Sequence, residues 1–215
     1  MQPVIPPRFV SLIGLPGSGK TTLCRSLATA LGWRAFVIGD ALRARAASDA
    51  ALQGMLDRGE LAPESVAIQL TREAAEEAVG KGLVVDGFPR HRNQVNLARN
   101  LFDPWTILYL KVPSPVVELR LSQRLWCSSC NWIGTKENLL SGACPQCGDS
   151  NPRHRPEDEP RIVSKRIREA EARLTELVTA LPASKLASLD ATKSPDQVQS
   201  DAVTALLSDS TAQDV

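Results

Sequence analysis

Near the start of the chain, Gly14-Leu-Pro-Gly-Ser-Gly-Lys20-Thr21 follows the spacing G-x-x-x-x-G-K-[ST]. Glycines at these positions let backbone N–H groups converge on phosphate oxygens, and the positive end of a following helix adds to the attraction. In such a loop the Lys20 ammonium neutralises the β- and γ-phosphates, and the Thr21 hydroxyl reaches the accompanying Mg²⁺. An ordinary glycine-rich turn is the competing explanation. The surrounding pattern argues against it, because an apolar run precedes the loop and a helical pattern follows. The chemistry implied is nucleoside triphosphate binding.

A second constellation lies between residues 126 and 159. Cys127-Ser-Ser-Cys130 and Cys144-Pro-Gln-Cys147 are paired C-x-x-C knuckles with 13 residues between them. Tetrathiolate sites usually leave ~15–20, so the gap is slightly short. In a reducing compartment such a pair favours Zn²⁺ over disulfides. Four thiolates leave no open coordination position, so the metal would be structural. Redox-active cysteine pairs would need a thioredoxin-like strand-to-helix setting, which this stretch lacks. Cys24 falls on a helical pattern and reads as core packing. Trp126 and Trp132 flank the first knuckle and are expected to pack the module. Neither His91 nor His154 has an evident role.

These residues must be held by a scaffold. Arg8–Gly14, Ala35–Ile38, Leu83–Val85, 105–111 and 185–189 read as strands. Helical patterns cover Thr21–Leu31, a segment starting at Gly39-Asp40, Pro63–Val79, 92–101, 114–125, 160–180 and 195–208. Alternation of this kind predicts an α/β fold with a doubly wound parallel five-stranded sheet flanked by helices. The Gly-, Pro- and Cys-rich stretch 126–159 interrupts the alternation and reads as a small zinc-binding module inserted between two helices and standing on the sheet domain. Residues 209–215 read as a disordered tail.

Composition narrows the class. The chain has 215 residues, 43% hydrophobic and 23% charged, which suffices for a buried core without staples. No apolar run approaches the ~20 residues of a membrane helix. Three prolines and no apolar signal core in Met1–Arg8 point to a cytoplasmic location. A net charge of +1 argues against bulk nucleic-acid or anionic-membrane binding.

The ordered set Gly14–Thr21, Gly39-Asp40-x-Leu42-Arg43, Gly59-Glu60-Leu61-x-Pro63, Asp86-Gly87-Phe88-Pro89-Arg90, Arg120-Leu-Ser-x-Arg124 and Arg155-Pro-Glu-Asp158 up to Arg166 resembles the adenylate kinases. The resemblance runs from Arg8 to about Leu207 and includes the four-cysteine lid. It implies reversible phosphoryl transfer, Mg·ATP + AMP ⇌ 2 ADP, by a monomer. The P-loop core would comprise 1–38, 73–125 and 160–208, with an acceptor-binding helical insert at 39–72 and the lid at 126–159.

The same resemblance assigns roles. Gly14, Pro16, Gly17, Ser18, Gly19, Lys20, Thr21, Thr22, Arg120 and Arg124 would bind ATP, with Arg120 stacked on the donor adenine. Gly39, Arg43, Leu61, Gly87, Arg90, Gln94, Arg155 and Arg166 would bind AMP. Lys20, Arg124, Arg155 and Arg166 would close over the transferring group, Arg90 would join them as a catalytic residue by holding the monophosphate, and Asp86 would hold Mg²⁺ through water. Glu157 and Asp158 would pair with lid arginines or cap the next helix. Gln94 stands where these enzymes read adenine with an amide. Ile38 replaces a common threonine beside the acceptor nucleoside, which would loosen base selection. Leu125 replaces a second arginine, and Asp190-Ala191-Thr192 replaces Asp-Gly-Thr. Two alternatives stay open: a nucleoside monophosphate kinase with another or broader acceptor base, and an ATP-binding regulatory or partner-binding protein with weak transferase activity.

Overall fold

The computed structural model describes residues 8–102 and 105–211. Its strands are β1 (Phe9–Gly14), β2 (Arg34–Val37), β3 (Leu83–Asp86), β4 (Trp105–Lys111), β5 (Leu125–Trp126), β6 (Ile133–Gly134) and β7 (Leu186–Asp190). Five of them form one parallel sheet in the order β2-β3-β1-β4-β7, and β5 pairs with β6 antiparallel. The helices are α1 (Lys20–Leu31), α2 (Ile38–Ala46), α3 (Ala50–Asp57), α4 (Glu64–Glu76), α5 (Val95–Leu101), α6 (Ser114–Gln123), α7 (Pro160–Ala180) and α8 (Pro195–Thr211).

Central strands are covered on both faces, so they read as continuous apolar runs rather than alternating ones. β3 is buried at every position. Two cores result, one on each side of the sheet. Val10, Leu12 and Val84 pack with Leu23 and Leu27 of α1, Leu121 of α6 and Leu206 of α8. Ile13, Leu83, Val85 and Ile107 pack with Ala98 of α5 and Leu177 of α7. Functional loops therefore gather at the carboxyl ends of β1 and β3, where an open parallel sheet leaves its crevice. Among the described residues no helix is long and apolar enough to cross a membrane.

Several boundaries differ from the sequence expectation for local reasons. Strand β2 stops at Val37, and Ile38 opens α2 instead of closing the strand. Helix α4 begins after Pro63 and ends at Glu76, short of Val79. Helix α6 ends at Gln123 because Arg124 turns extended, at φ −66° and ψ 129°, and Leu125–Trp126 enters the β5–β6 ribbon. Helix α3, preceded by Asp49 whose side chain accepts from Leu52 N at 3.0 Å, lies within the stretch expected to be a helical insert. The last helix continues through Thr211, and the remainder of the expected tail lies outside the described residues, as does the prolyl segment before Arg8.

Candidate active site

β1 delivers the chain to Gly14, and the loop reaches α1 through Gly17 (φ 78°) and Gly19 (φ 97°). Both glycines occupy the left-handed region that side-chain-bearing residues avoid. A Cβ on Gly17 would also meet Leu121 Cγ at 2.8 Å. Lys20 opens α1 and folds back over the loop: its Nζ donates to Gly14 O at 2.9 Å, Leu15 O at 2.6 Å and Ser18 Oγ at 3.3 Å. Burial brings the Lys20 ammonium down to about 8, with Asp86 opposing the shift. Thr21 Oγ1 donates to Asp86 Oδ2 at 2.5 Å, joining the first turn of α1 to the end of β3.

Two cavities meet at this loop. One, of about 470 Å³, is lined by Ser18, Gly19, Thr22, Arg120, Thr135 and Ala191, among others. The other, of about 220 Å³, is lined by Gly39, Arg43, Leu61, Gly87, Arg90, Arg155 and Arg166, among others. Gly17, Lys20, Thr21 and Arg124 line both. Gly14, Pro16 and Asp86 face the smaller cavity. All the residues expected for ATP thus fall around the P-loop. Those expected for AMP fall together in the smaller cavity, with Gln94 the exception.

Arg166 passes directly over Gly59, where a Cβ would lie 2.3 Å from Arg166 Cδ. Glycine at this position in the Gly59-Glu60-Leu61 turn is what admits the arginine to the cleft. Asp158, whose side chain is fully buried, accepts from Arg124 Nε at 2.8 Å and Nη2 at 2.6 Å. It also accepts from Arg166 Nη1 at 3.3 Å, and that same nitrogen donates to Glu157 O at 2.7 Å. The Asp158 carboxylate therefore holds Arg124 and Arg166, while Glu157 offers its backbone carbonyl to Arg166 and its side chain to Arg43 at 3.6 Å. Arg90 is held by its Nε donating to Gly87 O at 2.8 Å.

Arg155 is different. It is buried, and its Nε and Nη2 have no acceptor. Burial, together with the nearby Arg43 and Arg124 charges, lowers its hold on its proton. Unpaired buried donors of this kind are costly unless an anion satisfies them. Arg43 likewise has an unpartnered Nε. The guanidinium carbons of Arg43 and Arg155 lie 5.7 and 5.4 Å from the centre of the Trp126 ring. Trp126, expected only to pack the lid, is thus a cation–π support for two cleft arginines.

Gln94 is buried, and both ends of its amide are engaged. Its Oε1 accepts from Arg90 N at 2.8 Å, and its Nε2 donates to Glu64 Oε1 at 3.1 Å. It lines neither cavity. Ile38 is also buried and lines neither cavity, whereas Val37 and Gly39 on either side line the smaller one. Ile38 lies instead beneath Gly87, where an added Cβ would meet its Cγ2 at 2.9 Å. Leu125 is buried and paired with Gly134 in the lid ribbon. Ala191 lines the larger cavity, and the turn around it closes through Asp190 Oδ1, which accepts from Thr192 N at 3.0 Å. The spacing of residues gave no sign of Lys193, Thr135 and Asn138 in the larger cavity or Arg173 in the smaller. They arrive from the segment after β6, the loop before α8 and the second half of α7.

In the segment 126–159 the four sulfurs of Cys127, Cys130, Cys144 and Cys147 all lie within 4.8 Å of one another, with Cys127–Cys147 and Cys130–Cys144 at 3.6 Å. Sulfurs ~2.3 Å from a tetrahedral centre stand about 3.8 Å apart, and a disulfide would require about 2.05 Å. The donor set therefore fits a tetrahedral thiophilic ion. Each knuckle turns through a left-handed residue, Asn131 at φ 60° and Gly148 at φ 75°. Cys24, the remaining cysteine, is buried on α1, and its Sγ donates to Val84 O at 3.3 Å.

A family model described as adenylate kinase matches residues 12–184. An adenylate kinase of Halobacterium salinarum is 30% identical over 209 residues, covering 92% of this chain and 95% of the relative. One from Salinispora tropica is 33% identical over 211 residues, covering 92% and 97%. One from Paracoccus denitrificans is 30% identical over 172 residues, covering 74% and 78%. With the P-loop, the paired cavities and the arginine cluster in one cleft, this match over most of the chain shows that the protein belongs to the adenylate kinase family.

Proposed function

We propose that the chain carries out Mg·ATP + AMP ⇌ 2 ADP with the donor in the larger cavity and the acceptor in the smaller. The observation that carries this reading is the seam, where Gly17, Lys20, Thr21 and Arg124 line both cavities. Two anionic substrates drawn to that seam bring their terminal phosphates together, which supplies most of what phosphoryl transfer needs.

An acceptor phosphate oxygen attacks the γ-phosphorus, and the bond from γ-phosphorus to the β–γ bridging oxygen breaks. That oxygen keeps the electron pair and leaves as ADP. The acceptor phosphate is already anionic near neutral pH, so no general base is required. Lys20 exchanges its loop carbonyls for phosphate oxygens, and Arg124 faces the same group from the lid side. Arg155 brings donors that lack an acceptor in the free protein, and Arg43, Arg90 and Arg166 hold the monophosphate. Mg²⁺, when bound with ATP, would be held by Thr21 and Asp86 and would offset charge on the β- and γ-phosphates. Arg120 supports the donor base. Residues 39–72 act as the acceptor-binding insert and 126–159 as a lid held by Zn²⁺ on the four cysteines, excluding water from the γ-phosphate.

A broader acceptor choice is supported by one observation: both ends of the Gln94 amide are already bonded within the protein. Transfer from Mg·ATP to AMP, GMP, CMP and UMP, with ADP and free phosphate quantified separately, decides the matter. Fast conversion of AMP with little free phosphate supports the proposal. Equal use of several monophosphates replaces it with the broader kinase, and ATP binding without transfer to any acceptor overturns both.

A further inference from the structure

Arg25 projects from α1, and none of the roles above uses it. Its guanidinium joins two other parts of the molecule. Nη2 donates to Asp40 Oδ2 on α2 at 2.6 Å, and Nη1 donates to the Asn131 carbonyl in the first cysteine knuckle at 2.9 Å. The second oxygen of Asp40, Oδ1, accepts from Arg43 Nη2 at 2.7 Å. Arg43 continues to Glu157 Oε1, 3.6 Å away at the exit of the lid. Asn131 is itself fixed, because its N donates to Cys127 O at 2.9 Å and its Oδ1 accepts from Trp126 Nε1 at 3.2 Å. An unbroken run of polar contacts therefore leads from the lid knuckle through Arg25 and Asp40 to Arg43 in the smaller cavity.

We propose that Arg25 is a positioning residue that makes lid closure and acceptor binding cooperative. The inference rests on the two-cavity adenylate kinase reading. The contact with the Asn131 carbonyl exists only while the lid lies against α1. Closure thus adds a second anchor to a guanidinium that Asp40 otherwise holds through one nitrogen alone. The fixed guanidinium holds Asp40, and Asp40 holds one arm of Arg43, leaving the rest of that guanidinium for the acceptor phosphate. A contact made in one state and lost in the other is the differential that an equilibrium shift requires. By reciprocity, an acceptor that orders Arg43 favours the closed lid by the same factor. A planar fork suits this task, since it can grip a carboxylate and a carbonyl together, whereas a lysine offers a single point charge.

The test is calorimetric titration of AMP into the full chain, alone and saturated with Mg²⁺ and the non-hydrolysable analogue AMP-PNP. AMP is expected to bind at least about 5-fold more tightly when the analogue is present. In Arg25→Ala that gain is expected to vanish while affinity for AMP alone stays near that of the wild type. Arg25→Lys, which keeps a charge for Asp40 but lacks the fork, is expected to fall between them and serves if the alanine variant fails to fold. An unchanged gain in either variant overturns the inference. So does absence of any gain in the wild type, or an equal loss of AMP affinity with and without the analogue. Failure of the wild type to phosphorylate AMP would instead overturn the functional reading, which separates the two.

Discussion

Arg124 and Asp158 meet in a bidentate pair, Nε to Oδ2 at 2.8 Å and Nη2 to Oδ1 at 2.6 Å, with the aspartate side chain fully buried. Arg166 bonds the same carboxylate at 3.3 Å. One anion thus holds two cations that both face the smaller cavity. Replacing the charge, as in Asp158→Asn, leaves two partly buried guanidiniums uncompensated. Breaking a buried pair from one side costs about 3–5 kcal/mol, and a loss of that order is expected in the free protein. With AMP and an ATP analogue bound, phosphates supply the missing negative charge and much of the loss should disappear. Denaturant unfolding with and without the two nucleotides measures both values. An equal deficit in the two conditions would mean that Asp158 does not exchange its role with phosphate.

That pair also marks the limit of what the chain's pattern conveys. The central strands were legible because burial on both faces leaves uninterrupted apolar runs such as Leu83-Val84-Val85, and the P-loop because its spacing is local. The cysteine knuckles were legible for the same reason. Asp158 was visible as an acidic residue after the lid, but its choice of Arg124 and Arg166 depends on how the lid returns the chain to α7. Trp126 looked like lid packing because nothing local reveals that Arg43, from a helix some eighty residues earlier, comes to rest near its ring. Gln94 had a motif position but not its neighbours; Glu64 on α4 takes one end of its amide.

Lys20 should shape the pH dependence. Burial lowers its pKa from 10.5 to about 8 in the free protein. Between those values the unfolded chain binds more protons than the folded one, so this group makes stability rise with pH across the window. Below about 8 the lysine is charged in both states and the full burial cost is present. Catalysis responds in the opposite direction, because phosphate binding needs the ammonium. We expect kcat/KM for ATP to fall as pH passes about 8, while kcat, measured with polyphosphate beside Lys20, persists to higher pH. Lys20→Met should lower kcat by ~10²–10³ and abolish that limb of the profile. A wild-type profile flat through pH 10 would contradict the argument.

The lid is expected to depend on its metal. A segment the size of 126–159 has little room for an apolar interior of its own, and four thiolates around one ion would supply folding energy. Elemental analysis should find zinc bound at the four cysteines, and Cys144→Ala or a strong chelator should remove it and lower the melting temperature. Transfer should suffer more than ATP binding, since the P-loop stands outside the lid. Free phosphate should rise relative to ADP as water gains access. Unchanged zinc content and melting in Cys144→Ala would eliminate a structural role for the cluster.

Gln94 offers the sharpest test of how the acceptor base is chosen. Its Oε1 supports the backbone N–H of Arg90, and its Nε2 meets Glu64, so in the free protein the amide acts on the placement of Arg90. Truncating it removes the acceptor of the partly buried Arg90 N–H, a loss of about 0.5–1.5 kcal/mol, while the exposed Glu64 carboxylate is left to solvent. If support of Arg90 is its main task, Gln94→Ala should raise KM by roughly tenfold for every monophosphate the protein accepts, with kcat less affected. If the amide turns to read adenine when AMP binds, the loss should be confined to AMP, and the other monophosphates should keep their wild-type KM. Measuring KM for AMP, GMP, CMP and UMP in both proteins separates these cases. The geometry of the free protein favours the uniform loss, because turning toward a base would require the amide to leave two partners it already holds.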